Sequence, residues 1–493
     1  MKTQNTQLKP AGSRITSTSA GLLIRLNTYR AAVLALFFAG ATLLSASAAS
    51  ADTITVINTN DSGPGSLRQA LVDANDGDTI NFDSSLNGQK ITLTSGQLIV
   101  DKSVTISGPG ANNLAVDGNA QSRVFYVNPG KTVTISGLTI ANGHVSNDVG
   151  GGISIHAAAL TVTNCVLSGN SAYSGGGIFN DSGIAGATLT VTNCTLSGNS
   201  GGVSGGGICN SGDNGSATLT ITNSTLSGNS ADYGGGIYNS AFNGSATLTI
   251  TNSTLSGNSA GVSGGGIDSG AGGSNGGSSI VTVSNSTLSG NSAGVYGGGI
   301  YNGGGFNGGT TLTITNSTFS GNSATGNGGG IYNNGVQGFA GLELGSTILN
   351  AGSSGANISN NSGTVTSLGY NLSSDNGGGY LTGPGDQINT NPMLGPLQDN
   401  GGPTFTHALL AGSPAIDAGD PNFTPPPDYD QRGPGFDRVV NGRIDVGSFE
   451  IQSAPTPTPT PTVTPTPTAT TTPTPTPRPS PTPRLRPTPA PRP

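Results

Sequence analysis

From Gly150 to about Asn334 the chain is one phrase repeated. A unit such as Gly234 to Asn258, GGGIYNSAFNGSATLTITNSTLSGN, has near copies on both sides. The isoleucine closing each Gly-Gly-Gly-Ile falls at Ile153, Ile178, Ile208, Ile237, Ile267, Ile300 and Ile331, at steps of 25 to 33 residues. Such a period marks a solenoid or a propeller. A propeller blade needs four antiparallel strands in roughly 40–50 residues. Here about 30 residues hold three short strand patterns, Gly-Gly-Ile-Tyr-Asn, Leu-Thr-Ile-Thr-Asn and Thr-Leu-Ser-Gly-Asn, with the same corner chemistry in every copy. The chain is therefore expected to be all-β: a parallel β-helix with three short strands and about 30 residues per coil.

The pattern inside one strand agrees. Leu219, Ile221 and Asn223 share one face and Thr220 and Thr222 the other, as a half-buried strand requires. Parallel stacking sets like residues over like, which suits Ile, Leu, Asn and Thr and penalises charge. No Lys or Arg occurs between Lys131 and Arg432. Two asparagine columns, Asn164 to Asn316 and Asn170 to Asn322, are expected to hydrogen-bond along the stack and satisfy corner backbone. With 8% charged residues, no Trp and 83 Gly in 493 residues, the chain can fill a narrow core of thin layers but not a wide aromatic one. Its net charge of −7 argues against nucleic acid or an anionic membrane as an electrostatic partner.

The flanks differ from the repeat. Residues 1–51 read as a signal peptide: Lys2, Lys9, Arg14, Arg25 and Arg30, then the apolar run Ala31 to Leu44, then Ala49-Ser50-Ala51. The run is short for a membrane span, and no later segment is apolar enough to cross, so a secreted or cell-surface chain is expected. Residues 52–145 read as an N-terminal cap and the first coils. In them GPGSLRQALVDAN (63–75) has Leu67, Ala70, Leu71 and Ala74 on one helical face and Ser66 as N-cap. Residues 146–385 are the repetitive helix, 386–453 a segment richer in Pro, Asp and Arg, and 454–493 a Pro/Thr tail expected to be disordered and extended.

At this point the chain resembles the pectin-lyase-like, right-handed parallel β-helix superfamily, and among it exported bacterial β-helix proteins. The resemblance rests on GSLRQALVDAN (65–75), GDTINF (77–82), SVTISGPGANNLAVDG (103–118) and RVFYVNPGKTVTISGLTIANG (123–143). The Gly-Gly-Gly-Ile and Phe/Leu-Ser-Gly-Asn pairs are similar to the repeats of polymorphic outer membrane proteins, with Phe319 to Asn322 the nearest copy. NPMLGPLQDNGGPTFTHALLAGSPAIDAGD (391–420), DQRG (430–433) and NGRIDVGSFE (441–450) resemble a choice-of-anchor domain. The resemblance implies surface location. Only the Pro/Thr tail follows that block, where a sorting element would be expected.

Uronate lyases and polygalacturonases share that superfamily, so the resemblance also admits catalysis. A lyase needs a basic residue, and the repeat faces have none. An inverting hydrolase needs two carboxylates roughly 6.5–9.5 Å apart. Between Lys131 and Leu342 the acids are Asp148, Asp181, Asp213, Asp232 and Asp268; of these Asp232 and Asp268 lie in consecutive repeats, without a supporting motif. His144, His156 and His407 have no metal-ligand spacing. Asp417, Asp420, Asp428 and Asp430 could offer oxygens to Ca²⁺, but their spacing is not that of an EF-hand and a Pro-Pro-Pro run intervenes. Cys165 and Cys194 occupy one repeat position and are expected to be small stacked fillers; with Cys209 the count is odd. No catalytic residue, metal or cofactor is assigned.

The candidate ligand-binding column is the residue after each repeat isoleucine: Phe179, Tyr238, Asp268, Tyr301 and Tyr332, with Cys209 among them. Alternation turns this position out of the core, where aromatic faces either shield the sheet or stack on sugar rings. The expectation is an exported, surface-associated scaffold for adhesion to extracellular glycan or cell-envelope matrix, without catalysis. The alternative is a polysaccharide lyase or glycosidase.

Overall fold

The computed structural model describes residues 51–452. The Pro/Thr tail and all but the last residue of the expected signal peptide lie outside them. The described chain is a right-handed parallel β-helix. One coil shows how the sequence builds it. Ile237–Phe242, Ser245–Thr251 and Thr254–Ser256 lie in three separate sheets, and Ser259–Ser263 returns the chain to the next Gly-Gly-Gly. The coil thus carries the expected three strands and a short fourth that continues the third face past a corner. One residue makes each bend in the left-handed region: Asn243 (φ 57°), Asn252 (φ 52°), Gly257 (φ 61°) and Gly264 (φ 68°). Asn and Gly adopt that conformation at least cost, which is why they recur at these places.

The remaining glycines of the triplet have a different cause. A Cβ on Gly235 would lie 2.4 Å from the Ser259 carbonyl oxygen, and one on Gly236 2.5 Å from that of Gly266. Backbone passes backbone too closely there for any side chain.

Register is exact across coils. Leu189, Leu219 and Leu248 stack, as do Val191, Ile221 and Ile250, while Thr190, Thr220 and Thr249 stack on the outer face. The inner residues form one apolar core running from Val56 to Leu381. Asn170, Asn199, Asn229, Asn258, Asn291 and Asn322 are buried in it, each side-chain amide donating to the next residue's Oδ1 at 2.9–3.0 Å. A further buried ladder was not anticipated: Asn180 to Asn210 to Asn239, and Asn302 to Asn333 to Asn360. Cys165 and Cys194 are buried free thiols in the column continued by Ser224, the Cys165 amide donating to the Cys194 sulfur at 3.4 Å.

Both ends are closed. The helix Leu67–Asp73 is capped by Ser66, whose hydroxyl accepts from the Gln69 amide, and Leu67, Ala70 and Leu71 bury against the first coil. Leu381 and Tyr380 pack on the last. The chain beyond about residue 386 folds back along the third sheet. It contributes the antiparallel pair Leu394–Gln398 and Thr406–Leu409 and a small core of Leu409, Ala415, Val446 and Phe449 on Ile348 and Leu372. Thr254 donates to the Phe405 carbonyl, Thr287 to Gln431, and Thr318 accepts from the Ser448 amide. These threonines are fully buried, whereas Thr195 and Thr225 of the same column are not.

Candidate ligand-binding cleft

Two columns meet where the third face turns into the Gly-Gly-Gly corner: the residue before the triplet and the residue after its isoleucine. In two coils both positions are tyrosine, Tyr-Gly-Gly-Gly-Ile-Tyr at 233–238 and 296–301. The coil between them reads Ser-Gly-Gly-Gly-Ile-Asp at 263–268. Register places Tyr238 beside Asp268 and Asp268 beside Tyr301, and Ser263 between Tyr233 and Tyr296. With strands about 4.8 Å apart, the two tyrosine pairs stand roughly 9.6 Å apart. The shorter Ser263 and Asp268 leave a hollow between them, a cleft of about 450 Å³. Tyr233, Tyr238, Tyr296 and Tyr301 frame it, and Phe242 and Gln337 add to its lining.

The far wall is a stack. Tyr332 lies against Tyr296 at 4.7 Å between ring centroids and against Tyr301 at 5.8 Å. The Tyr301 ring extends over Gly303, where a Cβ would come within 2.4 Å of it, and its hydroxyl accepts from Asn334 Nδ2 at 3.1 Å. At Gly270 on the lining there is open space where a side chain would stand, so the backbone there is reachable.

Asp268 is the one carboxylate of the lining, which holds no basic residue. It is 3% exposed, and its side chain has a single hydrogen-bond partner among the described residues, the Ser263 hydroxyl, which donates to Oδ2. Burial pushes its carboxyl up to about 7. Burial and, secondarily, the nearness of Asp268 also raise the Tyr238 phenol, and burial raises that of Tyr301, so both remain neutral donors.

The candidate column separates under this geometry. Tyr238, Asp268 and Tyr301 come together in the cleft. Tyr332 is buried in the stack behind it, and Phe179 lies two coils before Tyr238, in register with Cys209 and away from the cleft. The column leaves the coil core, as alternation demands, but it is no open outer ladder: Asp268, Cys209 and Tyr332 are buried and Phe179, Tyr238 and Tyr301 half-buried. The cause is the short fourth strand and the glycine corner, which bring a second column alongside. That column supplies Tyr233, Ser263 and Tyr296, which reading the isoleucine neighbours alone had missed. Their signal was the residue before each triplet.

The remaining candidates have structural surroundings. Asp232 is exposed and does not line the cleft. His144 Nδ1 bonds the Ser171 hydroxyl at 2.7 Å, and His156 pairs with Asp181 at 2.6 Å. His407 is held between the Gly395 carbonyl and Ser289. Asp430 is consumed by Arg432, which is sandwiched between Phe436 and Phe449. Among the described residues no group of three or more His, Cys, Asp or Glu is placed to hold a metal ion.

Residues 316–334 match the Chlamydia polymorphic membrane protein repeat. No curated protein matches the chain by sequence. Among solved structures, pectate lyase Pel9A aligns over 81% of this chain and 96% of its own, at a TM-score of 0.53 and 14% identity. The likeness shows a shared pectin-lyase-like β-helix fold. A PL6 alginate lyase solved with a trisaccharide covers 74% of this chain and 92% of its own at 13% identity, with a TM-score of 0.28 that adds nothing to the assignment.

Proposed function

We propose that this chain is an exported, surface-associated β-helix scaffold that binds extracellular glycan in the cleft framed by Tyr233, Tyr238, Tyr296 and Tyr301. The carrying observation is the frame itself: four tyrosines on two coils around a recessed third, with one buried carboxyl between them. Flat aromatic faces stack on the apolar faces of sugar rings, and phenol hydroxyls, Asp268 and the open backbone at Gly270 supply polar contacts that orient them. Surface display is supported by the polymorphic-membrane-protein repeat at 316–334, by the export-like residues 1–51 and by the choice-of-anchor resemblance of 386–453. The Pro/Thr tail would serve as a stalk.

Calorimetric titration of the full chain with a panel of soluble oligosaccharides tests this reading. Saturable binding is expected, with Tyr301→Ala and Tyr238→Ala each weakening it by about tenfold, in line with about 0.5–1.5 kcal/mol per aromatic contact beyond area burial. Absence of binding across neutral, amino and acidic oligosaccharides would refute it.

Asp268 also favours a second reading. A carboxyl titrating near 7 suits a general acid of a glycosidase. The cleft offers no second carboxylate for an inverting pair and no basic residue for elimination. Release of new reducing or unsaturated ends from polysaccharide, lost in Asp268→Asn, would establish the enzyme over the scaffold.

A further inference from the structure

Resting on the glycan reading, we infer that the cleft selects an amine-bearing sugar, its ammonium seated against Asp268 between the tyrosine faces. The observation is an imbalance. Asp268 is buried, its side chain is bonded only by the neutral Ser263 hydroxyl among the described residues, and no Lys, Arg or His lines the cleft. An ionised carboxylate in such a place is costly unless a cation is brought to it. The surroundings suit a cation: Tyr238, Tyr296 and Tyr301 line the hollow, and tyrosine ring quadrupoles stabilise positive charge. A uronate would bring a second negative charge to the same hollow. An N-acetylated sugar would leave the carboxylate without a counter-charge.

The pattern is local to this coil. It is also where the buried asparagine ladder breaks: Ser269 replaces the asparagine, and Asn239 turns to the Ser279 hydroxyl instead. The departures from the repeat thus gather around Asp268. Because its carboxyl titrates near 7, an amine ligand binds more tightly as pH rises through that value, until the ligand amine itself loses its proton.

The test is calorimetric titration of the full chain with three tetrasaccharides, a glucosamine oligomer, its N-acetylated form and a galacturonate oligomer, between pH 5.5 and 8. The glucosamine oligomer is expected to bind at least about 30-fold more tightly than the N-acetylated one, the low end of what a cation–π contact and a charge-assisted hydrogen bond give together. That preference should grow from pH 5.5 toward neutrality as Asp268 ionises, fall again once the glucosamine amine loses its proton, and vanish in Asp268→Asn. Equal or better binding of the N-acetylated or galacturonate oligomer overturns the inference and leaves the glycan reading standing. So does an unchanged preference in a folded Asp268→Asn. Failure of all three to bind removes both. The comparison of ligands on the unaltered chain needs no variant, so misfolding of Asp268→Asn cannot mask the result.

Discussion

At the scale of single residues, the cleft is decided by two positions at which the coils on either side carry tyrosine, serine at 263 and aspartate at 268. Asp268 has a stability consequence apart from any ligand. Its folded carboxyl titrates near 7, above the unfolded value near 3.8. Below the unfolded value both states are protonated and the carboxyl costs nothing. As pH rises through the folded value, the penalty of a buried charge is fully felt. At about 1.4 kcal/mol per tenfold change in proton affinity, this amounts to a few kcal/mol. Asp268→Asn is therefore expected to raise the melting temperature at pH 8 and to leave it nearly unchanged at pH 4, as scanning calorimetry at the two values would show. An equal effect at both would disconnect it from ionisation. The isoleucine neighbours pointed to Asp268 but not to Ser263. What the sequence concealed was their burial, because alternation says which residues leave the core but not which neighbouring segment then covers them.

At the scale of the coil, corners and ladders do the work. In the central coils each bend turns on one left-handed Asn or Gly, and the interior is crossed by amides satisfied along the stack. Asn229 shows how complete this is. Its Nδ2 donates to Asn258 Oδ1 and to the Leu196 carbonyl, and its Oδ1 accepts from the amide and side chain of Asn199. Replacing it with leucine orphans several buried groups at about 1–3 kcal/mol each. Asn229→Leu should cost about 3 kcal/mol or more in denaturant unfolding, whereas Thr220→Val, on the outer face of the same coil, should change stability by less than about 1 kcal/mol. Comparable losses at the two sites would refute the ladder. The Asn170 column was readable because asparagine at a fixed corner every coil has few other uses. The Asn180 ladder was hidden in the strand pattern, where the asparagine after Ile-Tyr passed for a strand end.

At the scale of the whole molecule, closure governs. An open β-helix end is a strand edge ready to pair with another chain, and here a helix covers the first coil and Leu381 the last. The segment that folds back past residue 386 lies along three coils and is pinned by Arg438, fully buried, which donates to the Asn316 side chain and to the Asp445 and Gly447 carbonyls. It also faces Glu450 at 3.8 Å, whose carboxyl burial pushes up to about 8. Arg438→Ala removes these three buried hydrogen bonds and leaves a cavity, a loss of about 3 kcal/mol or more. Hydrogen exchange should then quicken across 386–452 while the coils around Asn199 stay protected; uniform quickening would mean that the segment and the helix unfold as one. Composition announced this segment as distinct, but nothing in it foretold that it would lie along the Thr254, Thr287 and Thr318 column. The central claim, that recognition resides in the gap between two tyrosine coils, is tested most directly by filling the gap. The double variant Ser263→Tyr, Asp268→Tyr restores the ladder of the coils on either side. Its affinity for the best-binding oligosaccharide, measured by calorimetry beside its melting curve, is predicted to be lost with the fold intact, and unchanged affinity in that folded variant would contradict the account.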